Sequence, residues 1–182
     1  MPAVPMIKGS PIVSVAKFIR TRRAEATAWL PQRCQHYLHE RVLASNWYPE
    51  ADFRDLIRVV AKLLPGSGDE ALRNVGRASF QAYVRDNVYT GLLRADTLVD
   101  MPRRMDALWS THHDTGRLRL LPLTETSATI SLTGFGLPSH ELCTALTGYW
   151  EAMMIANFER AQVDHSACVT RGAEECVWQV VL

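Results

Sequence analysis

The densest group of side chains that could do chemistry is His112-His113-Asp114. Imidazole and carboxylate groups can hold a metal or move a proton, so this group is a candidate site. Adjacent residues of a helix point to different faces, however, and we do not expect the two imidazoles to share one metal. We favour the alternative of a helix C-terminus, where cationic imidazoles interact well with the helix dipole and Gly116 supplies the cap.

Two of the 4 cysteines, Cys168 and Cys176, flank a turn predicted at Arg171-Gly172-Ala173. A hairpin with that loop places the two thiols opposite each other, near enough for a disulfide or a shared metal. The same register places His165 opposite Gln179, on the other side of the ribbon. Because two thiolates make a poor zinc site, we expect a reduced structural pair and no metal, with redox sensing as the alternative. The remaining cysteines are predicted to be buried as small apolar side chains: Cys34 and Cys143.

Aromatic and thioether side chains recur at helical spacing along one segment in the last third of the chain: Tyr149, Trp150, Met153 and Met154. Such a stripe is more often part of a protein core than of a pocket. The same side-chain types also suit an apolar small molecule, because they are large and polarisable. The stripe is therefore predicted to be either core or the wall of a pocket.

The sequence contains no catalytic motif. It has no Gly-x-Ser-x-Gly elbow and no His-Glu-x-x-His helix. The glycine-rich segment Pro65-Gly66-Ser67-Gly68-Asp69 lacks the Gly-Lys-Ser/Thr of a phosphate-binding loop, and no predicted strand precedes it, so we interpret it as a turn. We expect a protein that is not an enzyme.

Charge is nearly balanced over the whole chain, with a formal net charge of +1. The first 33 residues differ, because they contain one acidic residue, Glu25, and a larger basic set: Lys8, Lys17, Arg20, Arg22, Arg23 and Arg33. This asymmetry could attract an acidic partner or an anionic surface, but a solvated helix face explains it as well. Nucleic acid is not an expected partner, because no recognition motif accompanies the charge.

The first two-thirds of the chain is predicted to be helical. The signals are apolar residues at three- and four-residue spacing, proline at first turns and capping residues before them. Together they predict these helices: a short one after Gly9, then 31–43, 51–64, 69–85 with an extension to about Leu93, and 102–116.

The last third of the chain has a period of two. Apolar residues alternate with polar ones over 118–120 and 128–132, which predicts a hairpin with one buried face. A long helix carries the aromatic and thioether stripe, and a second hairpin follows over 163–169 and 176–182. The order helices, hairpin, helix, hairpin predicts an α+β fold with a four-stranded antiparallel sheet.

One domain is expected over residues 1–182, with a helical part over 1–116 and a β-hairpin–helix–β-hairpin part over 117–182. No linker rich in Pro, Gly or Ser separates the two parts. No apolar run approaches the ~18 residues of a membrane-spanning helix, and Met1–Ser10 lacks the apolar core of a secretory signal. We therefore expect a cytoplasmic protein without a transmembrane segment.

Several short segments carry a resemblance to a known superfamily: Ile7-Lys8-Gly9-Ser10, Asn46-Trp47-Tyr48-Pro49, Val75-Gly76-Arg77, and the Gly148 helix followed by Cys168, Gly172, Cys176 and Trp178. In this order they resemble the superfamily of heme-NO-binding domains, V4R small-molecule-binding domains and Bet3-like subunits of vesicle-tethering complexes. An uncharacterised bacterial family of that superfamily is the most similar. The resemblance implies a heme-NO-binding/V4R-like fold along nearly the whole chain.

Heme-binding members of that superfamily carry a proximal His on a helix ahead of the sheet and a Tyr-x-Ser-x-Arg motif for the heme propionates. The comparable stretch here places Trp109 where that His stands. An indole nitrogen has no free lone pair, so Trp109 does not ligate iron. The sequence also contains no Tyr-x-Ser-x-Arg, and we expect no heme cofactor. His112 or His113 could replace the missing ligand only if the helix were rotated.

Relatives hold hydrophobic ligands between the Gly148 helix, the sheet and the helical half, which implies a pocket there. The predicted ligand-binding residues are Trp109, His113, Tyr149, Trp150 and Met153. We expect a non-enzymatic sensory or ligand-binding domain for a small apolar molecule, signalling through protein–protein contacts as a homodimer or with a regulatory protein. One alternative is a ligand-free dimerisation or scaffold module, as in the Bet3-like relatives. The other alternative is a heme-based gas sensor.

Overall fold

The computed structural model describes residues 4–85 and 97–182. The first of these stretches forms a helical half with a small antiparallel sheet of two strands. Its elements follow in this order: β1 (Met6–Lys8), α1 (Gly9–Thr21), α2 (Arg23–Trp29), a 3-10 helix (Gln32–Leu38), β2 (Trp47–Pro49), α3 (Glu50–Leu63) and α4 (Gly68–Arg85).

The second stretch combines two helices with a larger sheet. Its elements follow in this order: a 3-10 turn (Leu98–Asp100), α5 (Met101–His112), β3 (Arg117–Pro122), β4 (Ser127–Thr133), α6 (His140–Phe158), β5 (Gln162–Ala167), a 3-10 turn (Val169–Arg171) and β6 (Cys176–Val181). None of the helices within residues 4–85 and 97–182 has the length and apolar character needed to span a bilayer.

The larger sheet is antiparallel, with strand order β3-β4-β6-β5. In its first hairpin Leu118 pairs with Leu132 and Leu120 with Ile130, and these side chains are fully buried. Their alternation with exposed arginines is the period-two pattern of a sheet with one face against the core. The predicted α+β class, with a helical first half and a four-stranded antiparallel sheet, is confirmed.

The described residues form two apolar cores. The first core lies in the helical half and includes Ile7, Ile12, Ile19, Leu38, Leu56 and Ile57. The second core lies between the sheet, α5 and α6 and includes Met105, Leu118, Ile130, Trp150, Met153 and Trp178. Both α4 and α6 take part in the two cores, because α4 contributes Val75 to the first and Phe80 to the second, and α6 contributes Leu142 and Trp150 in the same way.

Glycines let α4 and α6 approach closely. A Cβ atom on Gly76 would lie 1.8 Å from the carbonyl oxygen of Ala145, and one on Gly148 would lie 2.1 Å from that of Arg73. Neither backbone oxygen can move aside without disturbing its helix, so only glycine fits at these positions. The two glycines therefore set the contact through which the helical half joins the second half.

The segment predicted as an α-helix over 31–43 is instead a 3-10 helix that ends at Leu38. Its last carbonyl groups have partners elsewhere: the Arg20 Nε donates to the Tyr37 oxygen at 2.8 Å, and the Arg23 Nη2 donates to the Leu38 oxygen at 3.0 Å. Because arginines from α1 and α2 satisfy these oxygens, no further helical turn is needed. The prediction of a longer helix was wrong for that reason.

The second hairpin is present, and its predicted register holds beside the loop but not beyond it. Ala167 pairs with Val177, as the predicted register requires, whereas His165 pairs with Trp178 instead of Gln179, because the register shifts between His165 and Ala167. The connection is longer than a three-residue loop, since a 3-10 turn and Gly172 at φ 91° stand between the strands. Such an irregular connection leaves no simple signal in the sequence. The predicted extension of α4 to Leu93 lies outside the described residues.

Candidate functional site

A cavity of about 90 Å³ lies between β1, α3, α4, α5 and α6. Because about 15 Å³ already admits one water molecule, the cavity has room for a small molecule. A second space of about 60 Å³ lies on the other side of a shared wall. The walls of the first cavity are mostly aromatic and aliphatic, and include Ile7, Phe53, Tyr83, Leu108, Leu146 and Trp150.

The structure brings most of the predicted ligand-binding residues to this cavity. Trp109, His113, Tyr149 and Trp150 all line it. Met153 does not: its side chain is completely buried in the second core and is not among the residues that line the cavity. The aromatic and thioether stripe on α6 is thus divided, with one part forming core and the other forming cavity wall.

His112 and His113 both line the cavity, although adjacent helical residues should point apart. The reason is that α5 ends at His112, and His113 has extended backbone angles, φ −121° and ψ 138°. Its side chain therefore does not follow the helical period. The two imidazoles therefore border the same cavity, because the helix does not continue to Gly116 as predicted; they form no group of three or more metal-ligating side chains among the described residues.

The imidazole of His113 is held from both sides. It stacks on the indole of Trp109, with ring centroids 3.8 Å apart and an angle of 9° between the planes. The Trp109 Nε1 donates to the backbone oxygen of Thr115 at 2.9 Å, which fixes the indole in turn. The edge of Phe135 contacts the same imidazole, with ring centroids 5.8 Å apart. The ring at this wall of the cavity is therefore fixed in orientation.

A carboxyl group that the sequence analysis missed contacts this histidine. The Nδ1 of His113 lies 2.6 Å from Oε1 of Glu50, whose side chain is completely buried. Strand β1 brings the two together, since Ile7 forms a β-bridge with His113 and the Glu50 amide donates to the oxygen of Pro5 at 2.9 Å. Glu50 is the first residue of α3, where acidic residues are common for reasons of the helix dipole, so nothing in the sequence singled it out.

Burial decides the charges of these groups. It raises the pKa of Glu50 to about 8, and the carboxylate of Asp114 adds to the rise. Burial lowers the pKa of His113 to about 3 and that of His112 to about 4. Both imidazoles are neutral near pH 7. The predicted pair of cationic histidines at a helix end is therefore wrong, although α5 does end at His112.

Three buried cysteines form a separate cluster: Cys143, Cys168 and Cys176. The Sγ of Cys176 lies 3.6 Å from the Sγ of Cys168 and 3.6 Å from that of Cys143. The hairpin pair is predictable from the sequence, but the proximity of Cys143 is not, because the position of α6 over the sheet is not visible in the sequence. A third sulfur therefore joins the predicted pair.

The thiols of the cysteine cluster differ in acidity. A hydrogen bond from Cys143 lowers the pKa of the Cys176 thiol, and the imidazole of His165 lowers it further. The same pairing raises the pKa of Cys143. His165 stacks on Trp178, with ring centroids 4.6 Å apart, so the expectation that it stays apart from the cysteines was wrong. The register shift in the second hairpin is the cause.

Among the described residues, the cysteine cluster is the only group of three or more metal-ligating side chains whose donor atoms lie close enough to bind one ion. A zinc ion with Zn–S bonds of about 2.3 Å separates its tetrahedral sulfurs by about 3.8 Å. The two measured separations of 3.6 Å are close to that value. Three thiolates still leave one of the four positions of a structural zinc site unfilled.

The basic residues near the start of the chain are bound within the helical half. Arg22 forms an ion pair with Glu25, with Nη2 and Oε2 2.6 Å apart, and Arg33 forms ion pairs with Asp52 and Asp55. Other arginines donate to backbone oxygens of the 3-10 helix, as described above. Two of these charges, on Arg22 and Arg33, are therefore paired with carboxylates, and Arg20 and Arg23 are held at backbone oxygens.

No family model matches the sequence, and no curated protein is similar to it in sequence. Solved structures are similar in fold. An H-NOX protein from S. oneidensis in the Fe(II)NO ligation state aligns with a TM-score of 0.66 and 13% identity, over 95% of this chain and 97% of its own. An oxygen-binding H-NOX domain related to soluble guanylate cyclases aligns with a TM-score of 0.67 and 13% identity, over 96% and 94%. The chain thus has an H-NOX-like fold.

Proposed function

We propose that this protein is a heme-free sensory domain of H-NOX-like fold that binds a small apolar molecule in the cavity between β1, α3, α4, α5 and α6. The observation that carries the proposal is the cavity itself, which is walled mainly by aromatic and aliphatic side chains. The similar solved structures are proteins that bind oxygen or NO at heme. We infer that this chain retains the sensory role of the fold with a different occupant, and that it is not an enzyme.

The residues around the cavity do not fit a heme. The cavity volume of about 90 Å³ is well below the 300–1,000 Å³ of pockets that hold drug-sized ligands. A porphyrin needs a pocket of at least that size. Trp109 stands at the position compared with the proximal His. Its single ring N–H group donates to the backbone oxygen of Thr115, and its indole nitrogen has no lone pair for iron. No Tyr-x-Ser-x-Arg segment is present to bind propionates.

Occupancy of this cavity can be communicated to the surface, because elements of both halves form its walls. A ligand contacts α3 and α4 of the helical half and α5 and α6 of the second half at once. We propose that the bound and empty states differ in how α5 and β1 lie against the rest, and that a second copy or a regulatory protein reads this difference. The proposed partner is therefore a second copy of this chain or a regulatory protein, as expected from the sequence.

Xenon binding tests the cavity directly, because xenon enters small apolar cavities. Under xenon pressure, the indole signals of Trp109 and Trp150 should shift in a proton–nitrogen NMR spectrum. Leu146→Phe, which fills the cavity wall, should abolish the shifts. Leu123→Phe is the matched control, since the same type of change is made at a side chain that is 63% exposed, and it should leave the shifts intact.

Native mass spectrometry of the freshly purified protein gives the second measurement. A small molecule retained with the protein supports the proposal, and the same spectrum reports the number of chains in the complex. Absence of both a xenon response and a bound molecule contradicts the proposal and favours a ligand-free dimerisation module. A Soret band in the visible spectrum contradicts it in the other direction and favours a heme-based sensor.

A further inference from the structure

We propose that the cavity ligand carries a hydrogen-bond acceptor, such as an ether or carbonyl oxygen, and that Nε2–H of His113 donates to it. The proposal rests on the proposed function, because it names the class of molecule that the same cavity receives. Glu50 acts as the positioning residue: it contacts the imidazole and not the ligand.

The geometry around His113 assigns different tasks to its two nitrogens. Nδ1 is turned to Glu50, with Nδ1 and Oε1 2.6 Å apart. Within the described part of the chain, no hydrogen bond reaches Nε2, and the imidazole is part of the cavity wall. The stacked Trp109 holds the ring in this orientation. Nε2 is therefore the nitrogen that a cavity ligand meets.

The environment of Glu50 decides which nitrogen carries the proton. Its side chain is fully buried, its Oε1 faces the imidazole, and its Oε2 has no hydrogen-bond partner among the described residues. A buried carboxyl group with a single neutral partner is more stable protonated than ionised. A protonated carboxyl donates to Nδ1 of His113, and a neutral imidazole then holds its own proton on Nε2. The wall thus presents a donor to the cavity.

The neighbouring charged and polar groups shift the pKa values of Glu50 and His113 in directions that their positions explain. Asp114 is the charged neighbour that raises the pKa of Glu50, whereas the N-terminus of α3 favours the ionised form. Asp52, on the same helix, accepts from Arg33 and Tyr37 instead, and His112 is neutral because of its burial. The net result is the raised pKa of about 8 for Glu50 and the lowered pKa of about 3 for His113.

Most of the other polar groups on the wall are already bonded within the protein. The Ser79 hydroxyl donates to the oxygen of Val75 at 2.8 Å, and Trp109 donates to Thr115 at 2.9 Å. The Nδ1 of His112 lies 2.8 Å from the Leu108 carbonyl oxygen, which can only accept, so the proton of this imidazole is on Nδ1. The hydroxyl of Tyr149 and the Nε1–H of Trp150, which has no hydrogen-bond partner among the described residues, are the groups that experiment must separate from His113.

The test compares tetrahydrofuran with cyclopentane as probes, since the two rings have the same shape and differ by one ether oxygen. Affinities are measured by NMR titration at pH 6.5 in the wild type, His113→Phe, Tyr149→Phe and Trp150→Phe. We expect the ratio of tetrahydrofuran to cyclopentane affinity to fall about fivefold in His113→Phe, the size of one neutral hydrogen bond. Tyr149→Phe and Trp150→Phe should leave the ratio unchanged.

A measurement on the wild type does not depend on whether a variant folds. Ring nitrogen-15 shifts of His113 should show the proton on Nε2 at pH 6.5. Above about pH 8, ionised Glu50 should draw it to Nδ1, and the preference for tetrahydrofuran should fall with it. Glu50→Gln removes the titrating group, so the affinity ratio of that variant should not change over the same pH range.

The possible results separate this inference from the proposed function. If cyclopentane does not bind the wild type, the cavity proposal fails and the ligand class fails with it. If cyclopentane binds but His113→Phe leaves the affinity ratio unchanged, the cavity stands and the ligand class is overturned. It is also overturned if the His113 proton is on Nδ1 at pH 6.5, or if Tyr149→Phe or Trp150→Phe is the variant that removes the preference.

Discussion

Helix α3 carries two buried acidic sites that differ in their partners. Asp52 and Asp55 form an acidic cluster whose carboxyl groups accept from several cationic and polar side chains. Glu50, at the start of the same helix, has a single hydrogen-bond partner for its carboxyl group among the described residues, the neutral imidazole of His113. The partners of the acidic cluster are Arg33, Arg54 and Arg58 for Asp55, and Arg33, Cys34 and Tyr37 for Asp52.

This difference separates a structural role from the proposed recognition role within one helix. A buried carboxylate with several charge-assisted bonds stabilises the fold and has little capacity for a further partner. A protonated carboxyl group beside a neutral imidazole contributes less to stability, but it determines where a proton is placed at the cavity. The contrast predicts different responses to mutation, pH and oxidation in the two regions.

The largest effect is expected from Asp55→Ala. Removing this carboxylate deletes its bonds to three arginines, and we expect the free energy of unfolding to fall by about 2–3 kcal/mol, since the arginines remain partly solvated. Urea unfolding at pH 7 measures the change. Glu50→Gln, in the cavity region, should not lower the same free energy, because glutamine removes a carboxyl group whose ionisation in the unfolded chain costs stability at pH 7. A larger loss in Glu50→Gln than in Asp55→Ala would contradict the division of roles.

Glu50 should make stability fall as pH rises above neutral. In the folded protein the Glu50 carboxyl group keeps its proton up to about pH 8. In the unfolded chain it releases the proton near its ordinary pKa of 4.5. Because the folded state binds more protons in this window, stability contributed by Glu50 is complete below 4.5 and is lost as pH rises toward 8. One proton corresponds to about 1.4 kcal/mol per pH unit. Thermal unfolding from pH 6.5 to 8 should show the decline, and Glu50→Gln should reduce it.

The cavity histidines produce the opposite slope at lower pH. The pKa values of His112 and His113 are lowered in the folded state to about 4 and 3, so the unfolded chain binds the extra protons between these values and 6.5. The stability that the two histidines contribute is complete above pH 6.5 and is lost as pH falls. Because two histidines titrate against the single carboxyl group of Glu50, their loss is larger than the gain from Glu50. A stability maximum near pH 6.5 follows, and a maximum above pH 8 would contradict both assignments.

The thiols extend the comparison to oxidation. Cys34, beside the acidic cluster, has a pKa raised to about 12 by burial and by Asp52, whereas the pKa of Cys176 is lowered by its neighbours. We expect diamide to form a disulfide between Cys168 and Cys176 and to leave Cys34 reduced. The closed loop should add about 1 kcal/mol to the free energy of unfolding, because strain offsets part of the entropic gain.

Peptide mass mapping identifies which cysteines are joined after oxidation. Cys34→Ala and Cys143→Ala should still form the bond, and Cys168→Ala should not. A disulfide from Cys143 to Cys176 instead would show that α6, and not the hairpin, supplies the reactive partner.

The smallest effect is expected on the basic surface of the helical half. Lys17 is exposed, and no salt bridge is found for it among the described residues, so Lys17→Gln should change the free energy of unfolding by less than about 0.5 kcal/mol. Arg20 donates to the backbone oxygen of Tyr37, and Arg20→Gln should lower the free energy of unfolding by about 1 kcal/mol. Chemical denaturation of both variants measures this difference. Equal effects would show that the arginine bonds contribute little.

The sequence predicted the elements whose apolar period is regular. The hairpin of Leu118 and Ile130 has the expected pairing, because a period of two fixes which face is buried. The second hairpin was misplaced by one position at His165, since a bulge changes the register without changing the composition. Local pattern was therefore sufficient for the fold class and insufficient for the register next to an irregular loop.

The cavity could be predicted only in part. Trp109 and Tyr149 were identified as candidate wall residues through the resemblance and the stripe on α6. Glu50 and Cys143 were missed, because each meets its partner across a long separation in sequence: 63 residues for Glu50 and His113, and 33 for Cys143 and Cys176. Contacts of that kind depend on tertiary packing, which no local pattern encodes.

The close passage of Gly76 and Gly148 has a consequence for how the cavity could change shape. The backbones of the two helices lie in close contact at this point, so we expect α4 and α6 to stay together if the two halves move. Any widening of the cavity must come from the opposite wall, where α5 ends and β1 is joined to it by the short bridge between Ile7 and His113. His113 is thus located at the wall that we expect to move, away from the glycine contact.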